Sequence, residues 1–166
     1  HEFNPDAMIG YSSNHFDMPY ILDRMRETGV YDTASQFSRR KRHAVTYEKP
    51  GEFSPTSIVK FDSPGRTMVD LYDILRSHPT IDLGGKLALR DVCARFLRNT
   101  NKNDLAYREI PELFKTARGR MKIAAYCLKD SEVLVCLERA LRLYMGVQGI
   151  ARVYCTTVQS VLDDTY

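Results

Sequence analysis

A chain of 166 residues is long enough to fold as one domain around a real core. Apolar residues make up 43% and charged residues 27%, an ordinary soluble composition, and the net charge of +3 is mildly basic, compatible with nucleic acid but not diagnostic of it. No apolar run reaches the ~18–20 residues of a membrane helix, and the polar opening His1-Glu2-Phe3-Asn4-Pro5-Asp6 lacks the basic-then-apolar order of a signal peptide.

Ala7 to Tyr11 is a short apolar run that ends at a polar loop, which predicts a buried strand. Asp17 then reads as the N-cap of a helix from about Met18 to Thr28. Pro19 sits in its first turn, where a missing N–H costs nothing. Ile21, Leu22 and Met25 make its apolar face, and Gly29 closes it. Residues 30–55 are polar and irregular. They hold the basic run Arg39-Arg40-Lys41-Arg42 and the Lys49-Pro50-Gly51 turn. A β-hairpin is expected next, with Thr56 to Phe61 and Thr67 to Leu71 flanking Asp62-Ser63-Pro64-Gly65-Arg66.

Beyond the hairpin the pattern turns helical. Leu71 to Ser77 suits a short helix. Lys86 to Arg98 spaces Leu89, Val92, Cys93 and Phe96 by three and four, as an amphipathic helix does. After the polar loop Asn99 to Asp104, Ile110-Pro111-Glu112-Leu113-Phe114 begins another helix. Two longer helices are expected over Arg118 to Lys129 and Ser131 to Met145, and a further stretch over Val147 to Val153. The plan is strands first and helices later, around a mixed sheet.

Four cysteines stand at 93, 127, 136 and 155, with no Cys-x-x-Cys pair. A zinc site or a disulfide framework is not expected. Cys93, Cys127 and Cys136 read as small buried hydrophobes.

Two acidic motifs carry the functional signal. The first is Gly10-Tyr11-Ser12-Ser13-Asn14-His15-Phe16-Asp17-Met18-Pro19-Tyr20, and the second is Tyr126-Cys127-Leu128-Lys129-Asp130. Taken singly, Asp17 is a helix cap, Tyr126 a core aromatic, and Asp130 the end of one helix before Ser131 caps the next. Asp70 reads as structural, and His15 as an exposed loop residue. Together the motifs resemble the second and third exonuclease motifs of family B DNA polymerases. Between and after them, Val69-Asp70-Leu71-Tyr72, Leu83-Gly84-Gly85-Lys86-Leu87 with Val92, Asp104-Leu105 with Arg108-Glu109-Ile110-Pro111, and Gly149-Ile150-Ala151-Arg152-Val153 resemble segments of the same family in the same order. Viral, herpesvirus-type members resemble the chain most closely, with the cellular delta-type polymerase near behind. Ser12 departs from the pattern, standing where the family usually has Asn.

The resemblance implies an α/β, ribonuclease-H-like 3′→5′ exonuclease fold, incomplete at its N-terminus. The chain does not open with Met, and it is expected to be an internal fragment. The family's first motif, Asp-x-Glu, would precede His1, and the polymerase palm would follow Tyr166. Residues 1–145 would form the exonuclease domain and 146–166 the start of the connection toward the palm. The parent enzyme would be a DNA-directed DNA polymerase acting in replication in the nucleus, using deoxynucleotides and a processivity factor, with no membrane partner.

Excision of a mismatched 3′ nucleotide hydrolyses a phosphodiester, and two Mg²⁺ or Mn²⁺ ions can stabilise the attacking and leaving oxygens. Hard cations take carboxylate oxygens, so Asp17 and Asp130 are the expected metal ligands. Tyr126 precedes Asp130 by four residues and shares its helical face; the resemblance implies that its hydroxyl orients the attacking water. Asn14 and Phe16 would line the path of the single-stranded 3′ end of the primer, where aromatics stack on bases. Arg39, Arg40, Lys41 and Arg42 read as a solvated turn, a phosphate contact or a nuclear-import patch. The rival to the nuclease is a non-catalytic DNA-binding or scaffold module derived from such a domain.

Overall fold

The short run after Asp6 forms strand β1 (Ala7–Gly10), which pairs in parallel with β4 (Thr67–Asp70), so that Gly10 lies opposite Asp70. This computed structural model describes residues 4–32, 37–40, 46–48, 60–97 and 105–165. Parallel neighbours cannot be joined by a tight turn, and the connection here carries helix α1 (Asp17–Glu27). A second pair is antiparallel, β2 (Thr46–Glu48) with β3 (Lys60–Asp62).

The expected hairpin is therefore corrected. Its turn forms, with Arg66 N–H donating to Ser63 O at 3.0 Å and Gly65 at φ 82°. The strands on either side of the turn take different partners, β3 going to β2 and β4 to β1. Met68, Val69 and Asp70 are all buried. Burial on both faces of a strand is the habit of parallel sheets rather than of half-exposed hairpins.

The chain forms two compact units, one of residues His1–Asp82 with Leu143–Tyr166 and the other of Leu83–Arg142. In the first unit β4 runs directly into α2 (Leu71–Ser77), whose Leu71, Ile74 and Leu75 are fully buried. Met18 and Leu22 from α1 pack on Met68, with Met8, Met25, Tyr31 and Phe37 around them. Helix α6 (Leu143–Val153) buries Leu143, Val147 and Ala151, one per turn. Helix α7 (Val158–Thr165) packs along β4, and Gln159 Oε1 accepts from Met68 N–H at 3.0 Å.

The second unit holds α3 (Leu89–Phe96), a 3₁₀ turn (Tyr107–Glu109), α4 (Ile110–Phe114) and the 25-residue α5 (Ala117–Leu141). Thr116 caps α5, accepting from Gly119 N–H at 3.0 Å. Gly119 is required by packing, since a Cβ there would sit 1.9 Å from the Leu113 carbonyl oxygen of α4. Buried Val133 and Leu137 continue one stripe with half-buried Ile123, Tyr126, Asp130, Leu134 and Leu141.

Helix α5 corrects two expectations. Asp130 ends no helix, because α5 runs through it to Leu141. Asp and Ser cost only a few tenths of a kcal/mol, roughly, inside a helix. Ser131 caps nothing and instead bonds back to Cys127 O at 3.1 Å. Cys127 and Cys136 are exposed, since the buried stripe passes through 126, 130, 133 and 137; of the three cysteines expected inside, Cys93 alone is buried.

Candidate active site

The loop from Tyr11 to Phe16 delivers Asp17 to the start of α1. Phe16 holds the N-cap position and Asp17 is the first helical residue, with no side-chain cap bond. The cap role expected of Asp17 is thus corrected, and its carboxylate remains available to a ligand. Asp17 keeps solvent contact, yet partial burial raises its carboxyl above the ordinary 3.8. The helix N-terminus favours negative charge there.

Phe16 is 67% exposed and Tyr20, one turn on, 59%. Their rings lie nearly parallel, 4° apart in plane, with centroids 6.3 Å apart. Two exposed aromatics with near-parallel rings, one of them preceding Asp17 in sequence, offer a surface on which a planar base can stack. Sequence reasoning named Phe16 but missed Tyr20, although their i, i+4 spacing was the signal.

Asn14 is half-buried; its N–H donates to Asp70 Oδ2 at 2.9 Å. Its Oδ1 is buried with no hydrogen-bond partner among the described residues. His15 is not the exposed residue expected. It is half-buried, and Nε2 lies 2.7 Å from Asp73 Oδ1. Asp70 accepts from Ser12 N–H at 2.7 Å and from Tyr72 N–H at 3.0 Å. It caps α2, which agrees with its structural role in sequence. The His15–Asp73 contact spans 58 residues and had no local signal.

Tyr126 and Asp130 lie together on the half-buried face of α5. They belong to the second unit, and Asn14, Phe16 and Asp17 to the first. Asp17 and Asp130 each carry a carboxylate, the kind of hard oxygen donor that Mg²⁺ or Mn²⁺ takes. Among the described residues no three His, Cys, Asp or Glu side chains converge as a metal-binding group. Each carboxylate fits such an ion in kind.

Of the basic run, Arg39 is engaged within the fold. Its Nε donates to Asn4 Oδ1 at 3.1 Å, and Nη1 pairs with Asp6 Oδ1 at 2.6 Å. Arg40 is exposed, and Lys41 and Arg42 lie outside the described residues. Among the described residues no helix is long and apolar enough to cross a membrane.

Residues 1–84 match the exonuclease domain of DNA polymerase family B. The chain is 29% identical over 98% of its length to the DNA polymerase catalytic subunit of Epstein-Barr virus (strain B95-8). It is 30% identical over 96% of its length to that of equine herpesvirus 2 (strain 86/87). It is 28% identical over 96% to the DNA polymerase of guinea pig cytomegalovirus (strain 22122). The chain spans only 16%, 16% and 14% of the lengths of these three relatives.

Proposed function

Because the chain belongs to the family B DNA polymerases, matching their exonuclease domain, we propose that it carries part of a proofreading 3′→5′ exonuclease within a DNA-directed DNA polymerase. The observation that carries this reading is the placement of Asp17 at a helix N-terminus beside the exposed Phe16–Tyr20 stack. A carboxylate and a base-stacking surface are what excision of a frayed 3′ nucleotide needs side by side. The parallel β1–β4 pair with α1 in its crossover is compatible with a ribonuclease-H-like fold. We assign residues 1–145 to the exonuclease domain and 146–166 to the path toward a polymerase palm.

In this proposal Phe16 and Tyr20 hold the terminal base by stacking, and Asn14 lines its path. Asp17 and Asp130 would each offer a carboxylate to Mg²⁺ or Mn²⁺. When bound, these ions supply Lewis-acid stabilisation of the attacking and leaving oxygens. The Tyr126 hydroxyl orients the water. Water oxygen bonds to phosphorus, the bond from phosphorus to the 3′ oxygen breaks, and that oxygen leaves with a proton. Arg40 is free to meet strand phosphates, whereas Arg39 would first have to release Asn4 and Asp6. The proposed partners are single-stranded DNA, deoxynucleotides and a processivity factor, in a nucleus.

The test is digestion of a 3′-mismatched primer–template by the polymerase that contains this segment, with Mg²⁺ and then with EDTA. Metal-dependent release of the 3′ nucleotide is expected. DNA binding with no release in Mg²⁺ or Mn²⁺ would overturn the nuclease in favour of the scaffold.

A further inference from the structure

Asp70 occupies an unusual place. It ends β4, is only 2% exposed, and accepts three backbone N–H bonds, from Ser12, Asn14 and Tyr72. Tyr72 is the ordinary partner of a helix cap. Ser12 and Asn14 lie 58 and 56 residues away, in the loop that leads to Asp17.

That loop is held against its own preference. Ser12 stands at φ 57°, in the left-handed region that a non-glycine residue avoids. Such a conformation persists only where its surroundings over-determine it. Asp70 grips its N–H at 2.7 Å. Two residues earlier Gly10 makes room, since a Cβ there would come within 2.1 Å of Ser13 Oγ. Further along, His15 Nε2 is held by Asp73 Oδ1, and Asp73 is 6% exposed. Tyr72 meets both ends of the loop edge-on, with Tyr11 at 5.8 Å and His15 at 6.1 Å between centroids.

The loop passes this restraint to the helix start. Phe16 N–H donates to Ser12 O at 3.1 Å, and Met18 N–H to Ser13 O at 2.9 Å, which brackets Asp17. A direct relay of backbone bonds thus joins the Asp70 carboxylate to the peptide units on both sides of Asp17.

We propose that Asp70, seconded by Asp73, is a positioning residue: it clamps the Ser12–Asn14 loop in its strained form and so fixes where Asp17 and Phe16 stand for excision. The proposal rests on the exonuclease reading above. Neither aspartate touches the reacting atoms. A misplacement of about 1 Å at a reacting group costs on the order of 10²-fold in rate.

The experiment compares wild type with Asp70→Asn in the polymerase that contains this segment. Asn keeps the shape but turns an N–H toward one of the amides that the carboxylate accepts. Excision kcat is expected to fall on the order of 10²-fold, with primer extension within about twofold. Hydrogen exchange should quicken at the Ser12 and Asn14 amides and stay unchanged at Leu22 in α1. Unchanged excision kcat alongside an active wild type, or unmoved exchange at Ser12 and Asn14, would overturn the clamp. A wild type that binds DNA and excises nothing would instead sink the exonuclease reading, and the positioning role with it. Should Asp70→Asn fail to fold, Asp73→Ala loosens the same loop at His15 alone. Excision by that variant at the wild-type rate would contradict the proposal.

Discussion

Tyr126 and Asp130 stand one turn apart on the half-buried face of a single uninterrupted helix, α5. No joint separates them, so helix geometry alone sets their spacing, with Cβ atoms about 5–6 Å apart. A hydroxyl and a carboxylate held in this register can share one water and one metal ion. Replacing Tyr126 with Phe removes the hydroxyl and keeps the ring. Excision kcat should drop on the order of 10²-fold with little change in KM, because orientation and not binding is lost. Rapid-quench excision of a mismatched primer measures it. A rise in KM at constant kcat would assign Tyr126 to strand binding.

Phe16 should contribute affinity and little stability. It is 67% exposed and stacks on Tyr20, so its loss opens no cavity. Phe16→Ala should weaken binding of a single-stranded oligonucleotide by roughly 1–3 kcal/mol. Fluorescence anisotropy with a labelled strand checks it, and unfolding curves should superimpose on wild type. Equal affinity for both proteins would remove the stack from the DNA path.

Gly119 is a case where propensity and packing disagree. Alanine is better than glycine in a helix by about 1 kcal/mol. At Gly119 its Cβ would meet the Leu113 carbonyl oxygen at 1.9 Å, a backbone atom that cannot swing aside. Gly119→Ala should therefore destabilise, by about 1–3 kcal/mol, as read by urea unfolding of the chain. A more stable variant would mean that α4 and α5 are not so closely packed.

The pH dependence of stability should carry the mark of Asp70. Burial raises its carboxyl above the ordinary 3.8, and the Asp73 charge pushes the same way, against the bonds from Asn14, Tyr72 and Ser12. A carboxyl that holds its proton more tightly when folded adds stability below 3.8, and that addition is lost as the pH rises through the folded value. Asp70→Asn does not titrate. Between pH 3.8 and neutrality the stability of wild type relative to Asp70→Asn should fall. Denaturant titrations of both proteins across that range test this. A gap that stays flat or widens in favour of wild type would contradict the shift.

Local chemistry was legible in the sequence, and long-range pairing was not. Pro19 in the first turn and Gly29 after the last marked α1, and the Pro64-Gly65 turn forms as read. The partners of β3 and β4 were missed because a turn states where the chain reverses, not which strand lies beside it. Lys129-Asp130-Ser131 looked like a helix boundary because Asp and Ser favour caps; the stripe from Ile123 to Leu141 continued regardless. Asp17 and Asp130 were singled out through the family resemblance of their motifs, whereas the His15–Asp73 contact depends on the parallel strand pair and has no trace in either neighbourhood.

The most direct test of the account is excision and extension assayed together, on a 3′-mismatched primer–template with Mg²⁺, for the polymerase that contains this segment and its Asp17→Ala and Asp130→Ala variants. Loss of excision in both variants, with primer extension preserved, is the predicted result. Excision that persists in both would show that these two carboxylates are structural and would contradict the assignment of this segment as the proofreading site.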